Sequence, residues 1–302
     1  MCHLSIVIPF YNEQDNIQPM ITAVHNALKD EPYPFEVITV DDGSRDRTFE
    51  QLQQVQKHYH STVKTIKLRK NAGQTAAMQA GIDASQGEYI ATLDGDLQND
   101  PNDIPRMLEE LKQRDLDLLQ GWRADRKDNF IWRKLPSKIA NYLIAKVTGV
   151  QLRDYGCSLK IYRACVLKQV RLLGEMHRFI PIWVASVTQV HRIGETRVTH
   201  HARRYGQSKY GISRTFRVIL DLISAYFFLR FSERPGHFFG YVGLLVGALG
   251  TSIMSWLMVV KFYFGEDIGN RPLFLVGILL LIASLQLITT GVVAEMLTRI
   301  FH

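Results

Sequence analysis

Leu93-Asp94-Gly95-Asp96-Leu97-Gln98 is the most informative stretch of this chain. The apolar run from Tyr89 to Leu93 predicts a buried strand, which ends in two carboxylates and a carboxamide spaced one residue apart. In extended backbone, side chains at i, i+2 and i+4 point to one side. Asp94, Asp96 and Gln98 are therefore expected to converge just past the strand end. Such oxygen ligands suit a hard divalent cation, Mg²⁺ or Mn²⁺, which shares its remaining positions with substrate phosphates. A solvated acidic turn is the plain alternative for a D-x-D taken alone.

Working outward, three more strands each run into a polar cluster. Leu4 to Pro9 runs into Phe10-Tyr11-Asn12-Glu13, Phe35 to Val40 into Asp41-Asp42-Gly43-Ser44, and Val63 to Leu68 into Lys70-Asn71-Ala72-Gly73. The first of these is too short for a signal peptide or a membrane span. Helical segments lie between the strands, one reaching about Lys29 and another covering Gln74 to Ala84. Alternating strands and helices indicate a parallel α/β sheet, and in such sheets ligands bind at the carboxyl ends of strands. Taken singly, Asp41 or Asp42 would serve as a helix cap and the other clusters as turns. Four polar clusters on four successive strand ends describe one pocket for an anionic, metal-bridged ligand such as a nucleotide diphosphate.

This ordered set resembles the family 2 glycosyltransferases of GT-A fold. It is most similar to the polyprenyl-phosphate glycosyltransferases, the group that includes dolichyl-phosphate mannose synthase and bacterial bactoprenol glucosyltransferases. The resemblance runs over essentially the whole chain and implies an α/β catalytic domain with a Rossmann-like, mainly parallel sheet. It implies that Pro9, Tyr11, Glu13, Val40, Asp42, Asn71, Gly73 and Asp94 bind the donor, with the Asp42 carboxylate accepting from a base N–H. Asp94, Asp96 and Gln98 would hold Mg²⁺ or Mn²⁺ against the pyrophosphate of a nucleotide sugar, and Asp94, Asp96 and Asp154 form the implied catalytic set. Asp154 falls where the family places an acidic residue near the acceptor; a turn carboxylate paired with Arg153 is its rival reading.

Beyond Leu116-Asp117-Leu118-Leu119-Gln120, which reads as a further strand, come Gly121-Trp122-Arg123 and a basic stretch with Arg126, Lys127, Arg133, Lys134 and Lys138. Ile139, Tyr142, Leu143 and Val147 follow at helical spacing. A basic amphipathic helix with aromatic flanks is suited to the headgroup plane of an anionic membrane, and this one is expected over about 131–149. The resemblance implies an acceptor-phosphate site of Arg123, Arg133, Ser137, Arg203, Ser208 and Lys209, the last three within Arg203-Arg204-Tyr205-Gly206-Gln207-Ser208-Lys209. Trp122 stands where serine is commoner in the family.

Hydrophobicity is concentrated in the tail. Residues 238–260 and 272–294 carry no formal charge, and each exceeds the roughly 20 residues that cross a bilayer as a helix. Arg214, Arg217, Arg230 and Arg234 lie before the first span and Arg299 after the second. The positive-inside rule then predicts both termini in the cytoplasm. The expected organisation is a catalytic domain over 1–212, a juxtamembrane interfacial helix over 213–234 and a transmembrane hairpin over 235–302. Gly243, Gly247 and Gly250 suit close packing within that hairpin.

The net charge of +7 favours an anionic partner, yet no nucleic-acid motif accompanies it. Cys2, Cys157 and Cys165 show no metal-ligand spacing, as in a reduced cytosolic domain. The combined expectation is a multi-pass enzyme of the cytoplasmic membrane that transfers one sugar, with inversion, from a nucleotide sugar to a polyprenyl phosphate. UDP-hexose, with UDP-glucose as an example, and undecaprenyl phosphate are favoured, for glycan or lipopolysaccharide modification. The resemblance also suggests a homo-oligomer, a tetramer. Three rivals stand: a GDP-mannose-dependent enzyme, a non-catalytic scaffold or sugar-nucleotide sensor, and a processive polysaccharide synthase, whose Q-x-x-R-W element the chain does not contain.

Overall fold

A computed structural model of the chain describes residues 3–124, 145, 149–202, 227, 231 and 234–301. The chain divides into two compact units, Met1–Leu222 and Ile223–His302. Strands β1 (Leu4–Phe10), β2 (Phe35–Asp41), β3 (Val63–Lys67), β4 (Tyr89–Thr92), β5 (Leu118–Trp122), β6 (Lys160–Arg163) and β7 (Ile193–Arg197) form one sheet in the order β3-β2-β1-β4-β6-β5-β7. The pairs β1–β2, β2–β3, β1–β4 and β5–β7 are parallel. Only β6 runs against both of its neighbours.

Helices α1 (Ile17–Leu28), α2 (Thr48–His58), α3 (Gln74–Ala84) and α4 (Asp103–Gln113) fill the crossovers. Because successive strand residues face opposite sides of a sheet, two apolar layers form. Leu4, Ile6, Ile8, Tyr89 and Ala91 pack with the apolar faces of α1 and α4 on one side. Val7, Ile38, Val40 and Ile90 pack with Ala77, Met78 and Ile82 of α3 on the other. α3 begins at Gln74 and ends at Ala84, as its sequence predicts.

Two differences from the sequence expectation bear on the site. The strand expected from Leu116 to Gln120 is shifted onward, because Gly121 N–H donates to Leu159 O (3.0 Å) and Val198 N–H to Trp122 O (3.1 Å). Pairing on both sides therefore holds Gly121 and Trp122 in the sheet. Strands β6 and β7 carried no readable signal, since they are only four and five residues long and each includes two charged residues.

In the second unit, α5 (Pro235–Tyr263) and α6 (Pro272–Phe301) form an antiparallel hairpin, and both are long and apolar enough to cross a membrane. Each runs past the charge-free stretch marked in the sequence. The two backbones approach where Gly243 faces Ser284 and Gly250 faces Gly277, and Ser284 Oγ donates to Gly243 O at 2.7 Å. Small residues at such crossings are the usual basis of helix packing in lipid. Large apolar side chains such as Tyr241, Trp256, Leu279 and Ile300 face outward, as a lipid-facing surface requires.

Candidate active site

Strand direction delivers the polar residues to one edge. The parallel strands β1, β2, β3 and β4 all finish there, and Pro9 lies opposite Val40, with Phe10 opposite Asp41. Since β6 runs the other way, its first residue arrives at the same edge: Lys160 pairs with Thr92 of β4 and with Gln120 of β5. Residues Asp154 to Leu159, which precede it, are thereby carried to the acidic turn. The exit of β7 comes there too, with Asn99 bridged to His200 and His201 N–H donating to Gln98 O (2.7 Å).

At the end of β2, Asp42 is buried, and its carboxylate is held by the loop after β3. Oδ1 accepts from Ala72 N–H (2.7 Å), and Oδ2 accepts from Gly73 N–H (3.0 Å) and Asn71 Nδ2 (3.1 Å). Three of about four lone-pair positions on the carboxylate are thus filled. Burial raises the Asp42 pKa despite these bonds. Gly43 allows the contact, for its φ is +65° and a Cβ there would meet the Lys70 backbone at 2.4 Å. The loop after β1 is laced to the loop after β2. Asn12 N–H donates to Ser44 Oγ, Arg45 N–H to Asn12 Oδ1, and Glu13 N–H to Thr48 Oγ1, at 2.8–3.0 Å. Glu13 Oε2 accepts from Asn16 Nδ2, while Tyr11 lies half-buried on the same loop.

The acidic cluster sits in a turn, which corrects the extended geometry expected of it. β4 ends at Thr92, and Leu97 has φ +60°. Asp96 Oδ1 accepts from Gln98 N–H at 3.1 Å, closing the turn on itself. Asp94 Oδ1 accepts from Gln74 Nε2 (2.7 Å), and the Ser158 hydroxyl also bonds its carboxylate. Burial first, then the neighbouring Asp96 charge, raise the Asp94 pKa. Among the described residues no group of three or more His, Cys, Asp or Glu is set to hold a metal ion. Two adjacent carboxylates remain, a set that fits a divalent cation completed by water and phosphate oxygens.

A network that sequence reasoning missed lies under this turn. Asn99 Nδ2 donates to Ser158 Oγ (2.6 Å), and Thr92 Oγ1 to Ser158 O (3.0 Å). Lys160 is 2% exposed, bonds Cys157 O, and has its pKa lowered by burial. Gln120 Nε2 ties Asp154 O and Cys157 O together, both at 3.0 Å. Only strand register brings these residues together; Gln74, directly after the recognised Asn71-Ala72-Gly73 turn, was the one within reach of sequence spacing.

Asp154 and Arg123, assigned separately in sequence, are partners. Arg123 Nε donates to Asp154 Oδ2 (2.7 Å), Nη2 to Oδ1 (2.9 Å) and the Arg123 N–H to Oδ2 (3.3 Å). Burial opposes the guanidinium charge, but the Asp154 bonds outweigh it and raise the Arg123 pKa. The rival pairing of Asp154 with Arg153 does not form as an ion pair: Arg153 turns to Glu195 instead. Its guanidinium and that of Arg197 lie 4.4 and 5.0 Å from the Trp122 ring. Arg133, Ser137, Arg203, Ser208 and Lys209, and the interfacial helices expected over 131–149 and 213–234, lie outside the described residues, apart from isolated positions.

A Rossmann-like, mainly parallel sheet with a carboxylate turn after its fourth strand, and polar loops on the strand ends beside it, is the arrangement of a glycosyltransferase of GT-A type. The chain belongs to glycosyl transferase family 2, whose model matches residues 5–171. It is 56% identical over 299 residues to dodecaprenyl-phosphate galacturonate synthase of Rhizobium johnstonii, covering 99% of this chain and 88% of that protein. It is 34% identical to undecaprenyl-phosphate 4-deoxy-4-formamido-L-arabinose transferase of Pseudomonas aeruginosa, covering 99% of this chain and 86% of that one. Among solved structures, glucosyl-3-phosphoglycerate synthase of Mycobacterium tuberculosis, in complex with Mn²⁺, uridine diphosphate and glucosyl-3-phosphoglycerate, aligns with a TM-score of 0.57 at 15% identity. That alignment covers 76% of this chain and 80% of the other.

Proposed function

We propose that the chain transfers one sugar from a nucleoside diphosphate to a polyprenyl phosphate at the cytoplasmic face of a membrane. The observation that carries this reading is the meeting, on one sheet edge, of the Asp94–Asp96 turn with the strand end bearing Arg123, in a chain similar over 99% of its length to two polyprenyl-phosphate sugar transferases. UDP is the favoured carrier. The favoured sugar is a hexose derivative, and galacturonic acid is the first to test because it appears in the name of the 56% identical relative.

Asp94 and Asp96 would hold Mg²⁺ or Mn²⁺, with Gln98 beside them, and the ion would supply positive charge to the departing diphosphate. Pro9, Tyr11, Glu13, Val40, Asp42, Asn71 and Gly73 frame the nucleotide. Arg123, with Arg133, Ser137, Arg203, Ser208 and Lys209, receives the acceptor phosphate. That phosphate needs no strong base, since a phosphate monoester has its second pKa near 6 and is largely dianionic at neutral pH. Its oxygen forms the bond to the anomeric carbon as the bond to the diphosphate breaks, in one displacement that inverts the centre. Alignment of the two substrates is then the main task of the protein.

The two apolar helices associate the chain with a membrane. Both termini cytoplasmic, and a homo-oligomer such as a tetramer, complete the proposal. Purified protein in detergent, given Mn²⁺, a panel of nucleotide sugars and polyprenyl phosphate, is expected to yield a polyprenyl-monophosphate sugar with one donor strongly preferred. No lipid product with any UDP- or GDP-sugar would refute the reading.

A further inference from the structure

We propose that Asp154 is a positioning residue, which holds the Arg123 guanidinium in a fixed plane for the acceptor phosphate and takes no proton during transfer. The inference rests on the acceptor reading of Arg123 given above. An acid beside the acceptor invites a role as general base. Two observations point elsewhere.

The first is occupancy. Asp154 is 7% exposed, and its two carboxylate oxygens accept three bonds from Arg123 alone, from Nε, Nη2 and the backbone N–H. A carboxylate engaged in this fork has little capacity left to receive a proton from a substrate. The second is support. The Asp154 carbonyl is tied through Gln120 Nε2 to Cys157 O, so the backbone under the carboxylate is fixed from the neighbouring strand. Arg123 itself follows directly on β5, and its Nε and Nη2 are turned to Asp154. A guanidinium has five N–H donors; Asp154 engages one on Nε and one on Nη2. The three that remain, one on Nη2 and two on Nη1, include the pair at the terminal Nη1–Nη2 end of the same plane, a fork suited to two phosphate oxygens.

Chemistry agrees with geometry. The acceptor oxygen bears no proton at neutral pH in most molecules, so a base would have nothing to remove. Orientation of that anion against the anomeric carbon is what the reaction lacks.

The test uses the full chain in detergent, with the titration of Mn²⁺ and UDP as a check that each variant retains its donor site. In Asp154→Asn, acceptor KM is expected to rise at least about tenfold and kcat to fall no more than about threefold, the signature of lost binding and not of a lost chemical group. The pH profile of kcat should keep its shape. Arg123→Lys, which keeps the charge and loses the fork, should match Asp154→Asn, and the double variant should be no worse than either single one. Asp154→Glu, the milder change if the amide variant folds poorly, should show a smaller rise in the same constant. A collapse of kcat at unchanged acceptor KM, or loss of an acidic limb from the pH profile, would make Asp154 a base and overturn the inference. Acceptor KM raised by Arg123→Ala but untouched by Asp154→Asn overturns the positioning role alone. If Arg123→Ala is also silent, the acceptor site itself has been misplaced.

Discussion

Gly95 packs directly against the ring of Phe10. A Cβ built on Gly95 would come within 2.4 Å of Phe10 Cε1 and 2.5 Å of Cδ1, and Phe10 is itself buried at the end of β1. The glycine of the D-G-D turn is there because a core ring occupies the space a side chain would need. The acidic turn is thus seated directly on the hydrophobic core.

Gly95→Ala is expected to push the turn off this seat. Overpacking of this kind costs about 1–3 kcal/mol, part of it as displacement of Asp94 and Asp96. Titration of Mn²⁺ with UDP should show affinity reduced about tenfold, or 1.4 kcal/mol. Phe10→Leu in the same chain should restore part of it by opening space; no recovery would show that the ring is not the obstacle.

Asp96→Ala is expected to abolish transfer while the protein still folds, because Asp96 bonds within its own turn and is not in the core. A hard cation held by one or two carboxylates loses an essential ligand. Sugar transfer and unfolding temperature, measured side by side, separate the two effects. Full activity of the variant, or of the wild type in EDTA, would exclude the metal.

For Asp42 the expectation is double. Asp42→Asn replaces one acceptor oxygen by an amide donor, which then faces either the N–H of Ala72 or the donors of Gly73 and Asn71. Losing a hydrogen bond to a charged group costs about 1.5–3 kcal/mol. Nucleotide affinity should therefore drop for UDP and its sugars together, while acceptor KM changes little. Unchanged UDP affinity by calorimetry would remove Asp42 and its loop from the donor site.

Glu36 gives a pH-dependent outcome far from the site. Burial alone would raise its pKa, but Lys64 Nζ, Ser5 Oγ and Gln86 N–H, each at 2.7 Å, lower it overall. A carboxyl whose folded pKa lies below its unfolded value of about 4.3 adds stability above that value, and the gain is lost as pH falls through the folded pKa. Glu36→Gln should therefore lower the unfolding temperature at pH 7, with the gap to wild type closing below about pH 4. A constant gap from pH 7 to pH 3 would refute the charge-based account.

Much of the site was legible because local spacing encodes it. Strand, turn and helix alternate with the right periods from Leu4 to Thr92, and each turn carries its polar cluster where a parallel strand must end. The charge-free stretches in the tail needed only counting. What spacing could not encode was the far side of the pocket. Whether Asp154 meets Arg123 or Arg153, and whether Ser158 and Lys160 lie under Asp94, depends on one short strand inserted backwards between β4 and β5. Its four residues hold no distinctive period, and its register is set by hydrogen bonds to strands more than 35 residues earlier in the chain. The turn at Asp94 follows the same logic: D-x-D is compatible with extended or folded backbone, and contact with the Phe10 ring, more than 80 residues away, selects the folded one. Periodicity reports the forces acting within an element. The pairing of elements is settled by burial and hydrogen bonding across the sheet, which have no local signature.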